Sequence, residues 1–513
     1  MFCVIKFWLF AVLWSAFSFA YSQALKYWVF FQDKPHATPE KMWVSPACLK
    51  NRKMLGLPLY QETDVTLYEP YCEQVAKWAQ VVVHSRWLNA LSVCANKEQI
   101  FQIRQLPFVK QVLPIRRDIV ILRNNWHTFF SNEEYSTAMK QVEAEAFKKA
   151  GLNGEGVTIG VIDAGFYEAS LQPHLKAIFE ENRILGIRDY LTPQRQEHFL
   201  TSETNSDGHG TTVLQMIAGK TPDLQKGLAY KASFYLARTD HGTKEYRGEE
   251  DLWIAAMEWM DSMGVRLINT SLGYALRHDD PSEDYQPSHM DGQTTTITKA
   301  AQIAADQKGI LLVVSAGNEG NERSWLIVSA PADAKGVLSV GATEENFSKA
   351  DYSSIGPSFL PYLKPNVACF SRSGTSFSAP VITGFAACLM QKKPQATAKE
   401  IFEIIEKSAN LYPYGNNFIG YGVPNCQRAL DIMEGKKIKQ PLLETKFKKR
   451  NVAEIRINAK GLSYGVVFHK VDERNVLEQS KVRGFKGKFK IEKPSGARFS
   501  TFVVKQQVIE IEW

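Results

Sequence analysis

Between Gly156 and Thr343, short and nearly continuous apolar runs recur with helical stretches between them. They read "VTIGVIDAG", "ILGIRDY", "ASFYLARTD", "VRLINTSLG", "GILLVVSAGN" and "VLSVGAT". None has a polar face, so a strand built from any of them must be covered on both sides. A mostly parallel sheet flanked by helices meets that requirement, which makes the body of the chain α/β. One intervening helix is plain in "EEDLWIAAMEWMDSMG". Glu249, Glu250 and Asp251 suit the positive end of a helix. Leu252, Ala255, Ala256, Trp259 and Met263 then follow the helical repeat, and Gly264 ends it.

The flanks have other patterns. After the first residues and up to about Leu122, "KYWVFFQD", "VVVHSRWLNALSV" and "FVKQVLPI" read as strands and "KEQIFQIRQL" as a helix, a compact α+β unit. "RRDIVILRNNWHTFFSNEEYS" follows as a polar, weakly patterned joint. Beyond Gly435, "VAEIRINAK", "YGVVFHKV", "KGKFKIEK" and "FSTFVVKQQVIEIEW" alternate as antiparallel strands, a small all-β domain with the pattern of a sandwich. A chain of 513 residues has room for about three domains at ~150 residues each. The expected division is 1–22, 23–125, 126–435 and 436–513.

Residues 1–22 carry Lys6, a compact apolar stretch from Phe7 to Phe19, and small residues at Ala20 and Ser22. This is the pattern of an export signal cut near Ser22. Its apolar core is short for a membrane anchor, and no later segment reaches the ~18 apolar residues of a spanning helix. The expectation is an exported protein, periplasmic, at the cell surface or extracellular, with no transmembrane anchor once the signal is removed. Cysteine adds little. Cys3 leaves with the signal, and Cys48, Cys72, Cys94, Cys369, Cys388 and Cys426 fall three on each side of Gly156, so their pairing is not legible. Cys388, on an apolar helix, is expected to be packed rather than bonded. No CxxC or His-rich spacing suggests zinc.

The net charge of +7 is unevenly spread. Residues 436–513 hold 19 Lys and Arg against 8 Asp and Glu, a net +11 that leaves the rest of the chain at −4. No nucleic-acid motif accompanies this excess. It points to the C-terminal domain as a place for contact with a cell surface or with secretion machinery.

Ligands of an open α/β sheet gather beyond the carboxyl ends of its strands. Three strand ends carry unusual polar groups: Asp163 before Gly165, Ser271-Leu272-Gly273, and Ala316-Gly317-Asn318. "NSDGHGTTV" sets His209 between Gly208 and Gly210 just before an apolar helix. "SRSGTSFSAPVITG" leads Ser376 into another, with Pro380 early and Val381, Ile382, Phe385, Ala386, Leu389 and Met390 on an apolar helix. A serine at a helix start meets free N–H groups and a field that favours negative charge. Taken singly, each feature is a cap or a turn. Together, Asp163, His209 and Ser376 stand in one of the orders recorded for a catalytic triad.

The pieces "VIDAGF", "DGHGTTV", "NTSLG", "SAGNEG" and "GTSFSAP", spread over about Gly156 to Arg428, resemble the subtilisin-like serine proteases, or subtilases. The resemblance implies a subtilisin-like sheet and a secreted endopeptidase acting on polypeptides, with Ser376 as nucleophile, His209 as base and Asp163 as its orienting partner. It implies Asn318 as oxyanion donor, and Ser271, Leu272, Gly273, Ala316 and Gly317 as walls that bind an extended substrate. It also casts residues 23–125 as a propeptide, a partner that the enzyme cuts from itself. No cofactor is implied for the chemistry and no metal is assigned. Structural calcium is common in the family, and Asp279, Asp280, Glu283, Asp284 and Asp291 are the acidic residues that would offer it ligands, although a solvated loop is the simpler reading. One departure stands out: after Thr211 come Thr212-Val213-Leu214-Gln215, where the family often has His-Val-Ala-Gly. The competing reading is a binding protein that keeps the fold without catalysis.

Overall fold

The computed structural model of the chain describes residues 25–35, 42, 44–116, 132–204, 206–241, 247–276, 284–436, 444–449, 451–457, 464–504 and 506–513. The export segment, most of the joint, and Asp279, Asp280 and Glu283 lie outside these residues.

The six apolar runs form β5 (Thr158–Asp163), β6 (Ile184–Asp189), β7 (Ser233–Arg238), β8 (Leu267–Thr270), β9 (Leu311–Ser315) and β10 (Leu338–Thr343). A seventh strand, β11 (Val367–Phe370), joins them, and all pair in parallel in the order β11-β10-β9-β8-β5-β7-β6. Because side chains alternate along a strand, Val161, Leu311 and Val313 enter one core with helices His209–Ala218 and Ala379–Lys392. Ile162, Leu312 and Val314 enter the other, with helices Glu250–Ser262 and Thr296–Asp306. Both faces are covered, as the apolar runs require.

Ahead of this sheet, β1 (Leu25–Phe31), β2 (Gln80–Ser85), β3 (Ala90–Ala95) and β4 (Val109–Arg116) pair antiparallel in the order β2-β3-β1-β4. Val29, Phe31, Leu91 and Val93 face this module's own helices, with Ile100 and Ile103. Trp28, Val83 and Ala90 face the other way, onto helix Glu250–Ser262. The last residues read as joint are instead the start of helix Asn132–Gln141. Tyr135 is buried there and packs with Ala138 and Met139 on the core of the parallel sheet, a face too short to show in the sequence pattern.

The C-terminal strands are β12 (Glu444–Lys449), β13 (Val452–Arg456), β14 (Tyr464–Lys470), β15 (Val476–Phe485), β16 (Lys488–Glu492), β17 (Phe499–Val504) and β18 (Gln507–Glu512). They pair antiparallel in the order β12-β13-β16-β15-β14-β17-β18. Only Gly484 and Phe485 of β15 pair with β16, whereas most of β15 pairs with β14, so β15 carries the chain between two halves. Ala453, Ile455 and Phe489 of one half meet Val467, Phe502 and Ile511 of the other in a common core. Among the described residues no disulfide joins two cysteines; Cys388 is buried, and burial pushes its thiol pKa up. No helix among them is long and apolar enough to cross a membrane.

Candidate active site

β5 and β8 are adjacent, and β9 follows β8, so the three polar strand ends lie side by side at one edge of the sheet. Asp163 ends β5 with its carboxylate fully buried. Its Oδ1 accepts a hydrogen bond from the Ala164 N–H at 2.8 Å and lies 2.6 Å from Nδ1 of His209. His209 opens helix His209–Ala218. The turn before that helix can approach so closely because residue 210 is glycine. A Cβ there would stand 2.4 Å from the Gly165 carbonyl oxygen and 2.9 Å from Asp163 Cβ. Burial alone would lower the imidazole pKa, but the Asp163 carboxylate, aided by Asp240, outweighs it and holds the pKa above its ordinary value.

Ser376 lies in a single 3₁₀ turn, Thr375–Phe377, that runs into helix Ala379–Lys392, with Pro380 in its first turn. The neighbouring Phe377 ring stands 5.1 Å from the imidazole of His209, centroid to centroid. The Ser376 hydroxyl donates to the Ser271 carbonyl at 3.1 Å, while the Ser271 hydroxyl donates to the Ser376 carbonyl at 2.8 Å. Ser376 is therefore laced to the end of β8.

Asn318 projects from the loop after β9 and is exposed. Its Oδ1 accepts from the Thr375 N–H at 2.9 Å and from the Thr375 hydroxyl at 3.1 Å. With the oxygen occupied, the amide nitrogen remains as a donor beside Gly374. The Thr375 side chain also accepts from the Gly317 N–H at 3.1 Å. Gly317 has φ +112°, a conformation open to glycine. Ser271, Leu272 and Ala316 are buried, while Gly273 is exposed at the surface next to them. Asp163, His209, Ser376, Asn318 and the stretches Ser271–Gly273 and Ala316–Gly317 thus lie at this edge.

Several supports were not legible. Thr383 of the helix behind Ser376 donates to Asn269 Oδ1 at 2.8 Å, and Asn269 Nδ2 donates to Ser271 Oγ at 3.1 Å. The helix is thereby tied to the strand end that holds Ser376. Arg238, buried at the end of β7, donates to the Ala164 carbonyl at 2.9 Å, to Asp189 at 3.2 Å and to Asp207 at 3.2 Å. It braces the turn after Asp163 and the turn before His209 together. The only sequence signals were the Asn that opens "NTSLG" and the Arg in "ASFYLARTD". The unusual Gln215 is accommodated by polar contacts: its amide donates to Gln172 at 3.1 Å and it accepts from the buried Lys226 ammonium at 2.9 Å. Burial lowers the Lys226 pKa to about 8.

No group of three or more potential metal ligands occurs among the described residues. The Asp291 carboxylate is occupied by its own turn, accepting from the Gln293 and Thr294 N–H groups and the Thr294 hydroxyl.

Residues 154–422 match a family model described as "Subtilase family", and residues 26–126 match one described as "Peptidase S8 propeptide domain, Bacteroidota". Subtilisin NAT of Bacillus subtilis subsp. natto is 27% identical over 368 residues, covering 69% of this chain and 84% of its own. Subtilisin DY of Bacillus licheniformis is 26% identical over 301 residues, covering 56% and 96%. Among solved structures, the epidermin leader peptide processing serine protease from Staphylococcus aureus is similar in fold, with a TM-score of 0.55 at 15% identity over 82% of this chain and all of that one.

Proposed function

The chain belongs to the subtilase family, a subtilisin-like serine protease with a propeptide domain, and we propose that Asp163, His209 and Ser376 carry its hydrolysis of peptide bonds. The observation that carries this reading is the buried Asp163 carboxylate 2.6 Å from His209, whose ring lies against the residue after Ser376. Ser376 Oγ attacks the scissile carbonyl after turning from Ser271 toward the imidazole. His209 takes its proton and later gives it to the leaving amine. Asp163 fixes the tautomer and stabilises the imidazolium, the same interaction that raises the His209 pKa. The Asn318 amide and the Ser376 N–H receive the oxyanion. In subtilisin, loss of the corresponding amide costs about 10²–10³ in turnover.

Main-chain groups of Ser271, Leu272, Gly273, Ala316 and Gly317 take an extended substrate as an added strand. Such pairing reads few side chains and favours broad sequence tolerance. Subtilases need no cofactor for this chemistry. Residues 1–22 act as export signal, 23–125 as propeptide, 126–435 as peptidase domain and 436–513 as an appended β domain. The enzyme is exported and releases its propeptide by cutting within the joint before Asn132.

The test is incubation of purified wild type and Ser376→Ala with a peptide library, read by mass spectrometry. Wild type cleaves the library and loses its amino-terminal module. Ser376→Ala loses activity by about 10⁶-fold, the scale seen for the subtilisin nucleophile, and stays full length. Equal cleavage by both proteins would refute the assignment.

A further inference from the structure

The basic excess of the C-terminal domain is not spread over its surface. β15 begins against the peptidase domain, where the Lys349 N–H donates to Gln479 Oε1 at 2.9 Å and the Val476 N–H to Asn417 Oδ1 at 2.9 Å. From Gln479 it runs on for six residues, about 20 Å at the rise of a strand, to a two-residue turn at Lys486 and Gly487. The β15–β16 turn therefore lies at the far end of β15 from these contacts, level with the end of β13, where the Ile457 N–H donates to the Gly487 carbonyl at 2.8 Å.

Lys481, Arg483 and Phe485 alternate along one face of β15, and all are exposed. Tyr464 pairs with Arg483 across β14, and Lys488 pairs with Phe485 across β16, which places both on that same face. Phe485 is 75% exposed, the most exposed large apolar side chain among the described residues, and Tyr464 is 57% exposed. None of the described residues covers them. The Lys486 ammonium stands 5.4 Å from the Phe485 ring centroid. Nearby cations are neutralised, since Arg456 pairs with Glu454 and Lys490 with Glu492. Lys481, Arg483, Lys486 and Lys488 make no ion pair among the described residues.

An exposed aromatic at the end of β15, flanked by cations that make no ion pair among the described residues, is complementary to one kind of surface: anionic outside and apolar a few ångströms deeper. Aromatic rings settle at the headgroup level of a bilayer, and Lys and Arg are drawn to its negative surface, each contact strengthening binding roughly fivefold. We propose that the β15–β16 hairpin docks this protease on an anionic lipid bilayer, with Phe485 at the headgroup boundary and Lys481, Arg483, Lys486 and Lys488 against lipid phosphates. One exposed sheet face that carries the aromatic and the cations together fits a bilayer surface better than a strand of nucleic acid or an acidic peptide, neither of which offers Phe485 an apolar layer.

The test is co-sedimentation of the full-length Ser376→Ala chain with vesicles of phosphatidylcholine alone or mixed equally with phosphatidylglycerol. Binding to the mixed vesicles only, weakened by salt, is expected. Replacing the four cations together with Gln lowers that binding at least tenfold, and Phe485→Ser lowers it several-fold at unchanged charge. In an otherwise wild-type chain, both changes leave peptide hydrolysis and the melting temperature unaltered, which separates lost docking from lost folding. Equal binding to both vesicle types, no binding to either, or equal binding by wild-type and four-Gln hairpins would overturn the proposal. So would capture by polyglutamate or duplex DNA at concentrations that leave vesicles unbound.

Discussion

The two modules that flank the catalytic sheet both bury apolar side chains against it, but the amino-terminal one buries charges among them and the carboxyl-terminal one is nearly all apolar. At the amino-terminal face, charges are buried. Arg52 reaches Asp64 at 2.5 Å and Asp261 at 3.3 Å, and Lys308 reaches Asp64 at 2.7 Å and Asp261 at 3.7 Å. Glu258 accepts from the Ser85 hydroxyl and from the Arg86 and Trp87 N–H groups, and Asp251 takes Lys26 at 2.8 Å. At the carboxyl-terminal face, Val466, Phe468, Val503 and Val508 press on Ala368, Leu411 and Ile419 with only a fringe of polar contacts. Charges taken out of water gain little from the exchange, and they return to water at little cost when the partner leaves. A bare apolar patch has no such option and would seek another cover. The first interface therefore suits a module that departs, and the second suits one that stays.

That contrast can be broken first at Arg52. Arg52→Ala leaves Lys308 to face both Asp64 and Asp261 in a buried site, a loss of roughly 3–5 kcal/mol. Inhibition of the mature enzyme by a separately made amino-terminal module should weaken roughly 10²–10³-fold. A change under threefold would mean that Trp28, Val83 and Trp87 hold the interface and the charges do not. Second, Phe468→Ala opens a cavity in the apolar face and should cost about 3 kcal/mol of stability, read as a lower denaturation midpoint of the mature protein. If the β domain instead separates without loss of stability in the remainder, its attachment is not the permanent one described.

The smallest effect concerns acid. Burial would raise the Asp64 pKa, but Arg52 and Lys308 outweigh it and hold the carboxyl at about 2. A depressed carboxylate contributes stability above its unfolded pKa and loses it as pH falls through the folded one. Docking should thus be steady from pH 7 to 5. Between pH 4 and 2 this group withdraws at most about 2 kcal/mol, because Arg52 remains its partner in the free module. Dissociation near pH 6, followed by gel filtration, would show that another group governs release.

What could be read in advance follows the same division between local and distant causes. β5 to β10 were legible because each is apolar on both faces. β11 was not: four residues after a proline-containing loop carry too little pattern. β12 and β15 escaped because charged and polar residues crowd both sequences and hide the alternation that marked β13 and β14. Asp163, His209 and Ser376 stood out through their glycines and their order. The Thr375 clamp on Asn318 and the Arg238 brace did not, since they join residues brought near only by the sheet. Helix Glu250–Ser262 is the most instructive. Its early acids suit a helix start, yet Asp251 is fully buried beneath β3, where Ser92 donates to it. No local pattern relates those residues across the 159 positions between them.

The central claim is that Asp163, His209 and Ser376 act as one unit, and covalent labelling tests it most directly. A fluorophosphonate added to the processed wild-type protein should modify Ser376 alone, located by mass spectrometry. The rate should rise with pH as His209 loses its proton, with an apparent pKa above the ordinary 6.5 of histidine, and should fall by about 10⁴ in Asp163→Asn. Absence of label, label on another residue, or a rate indifferent to Asp163 would contradict the account.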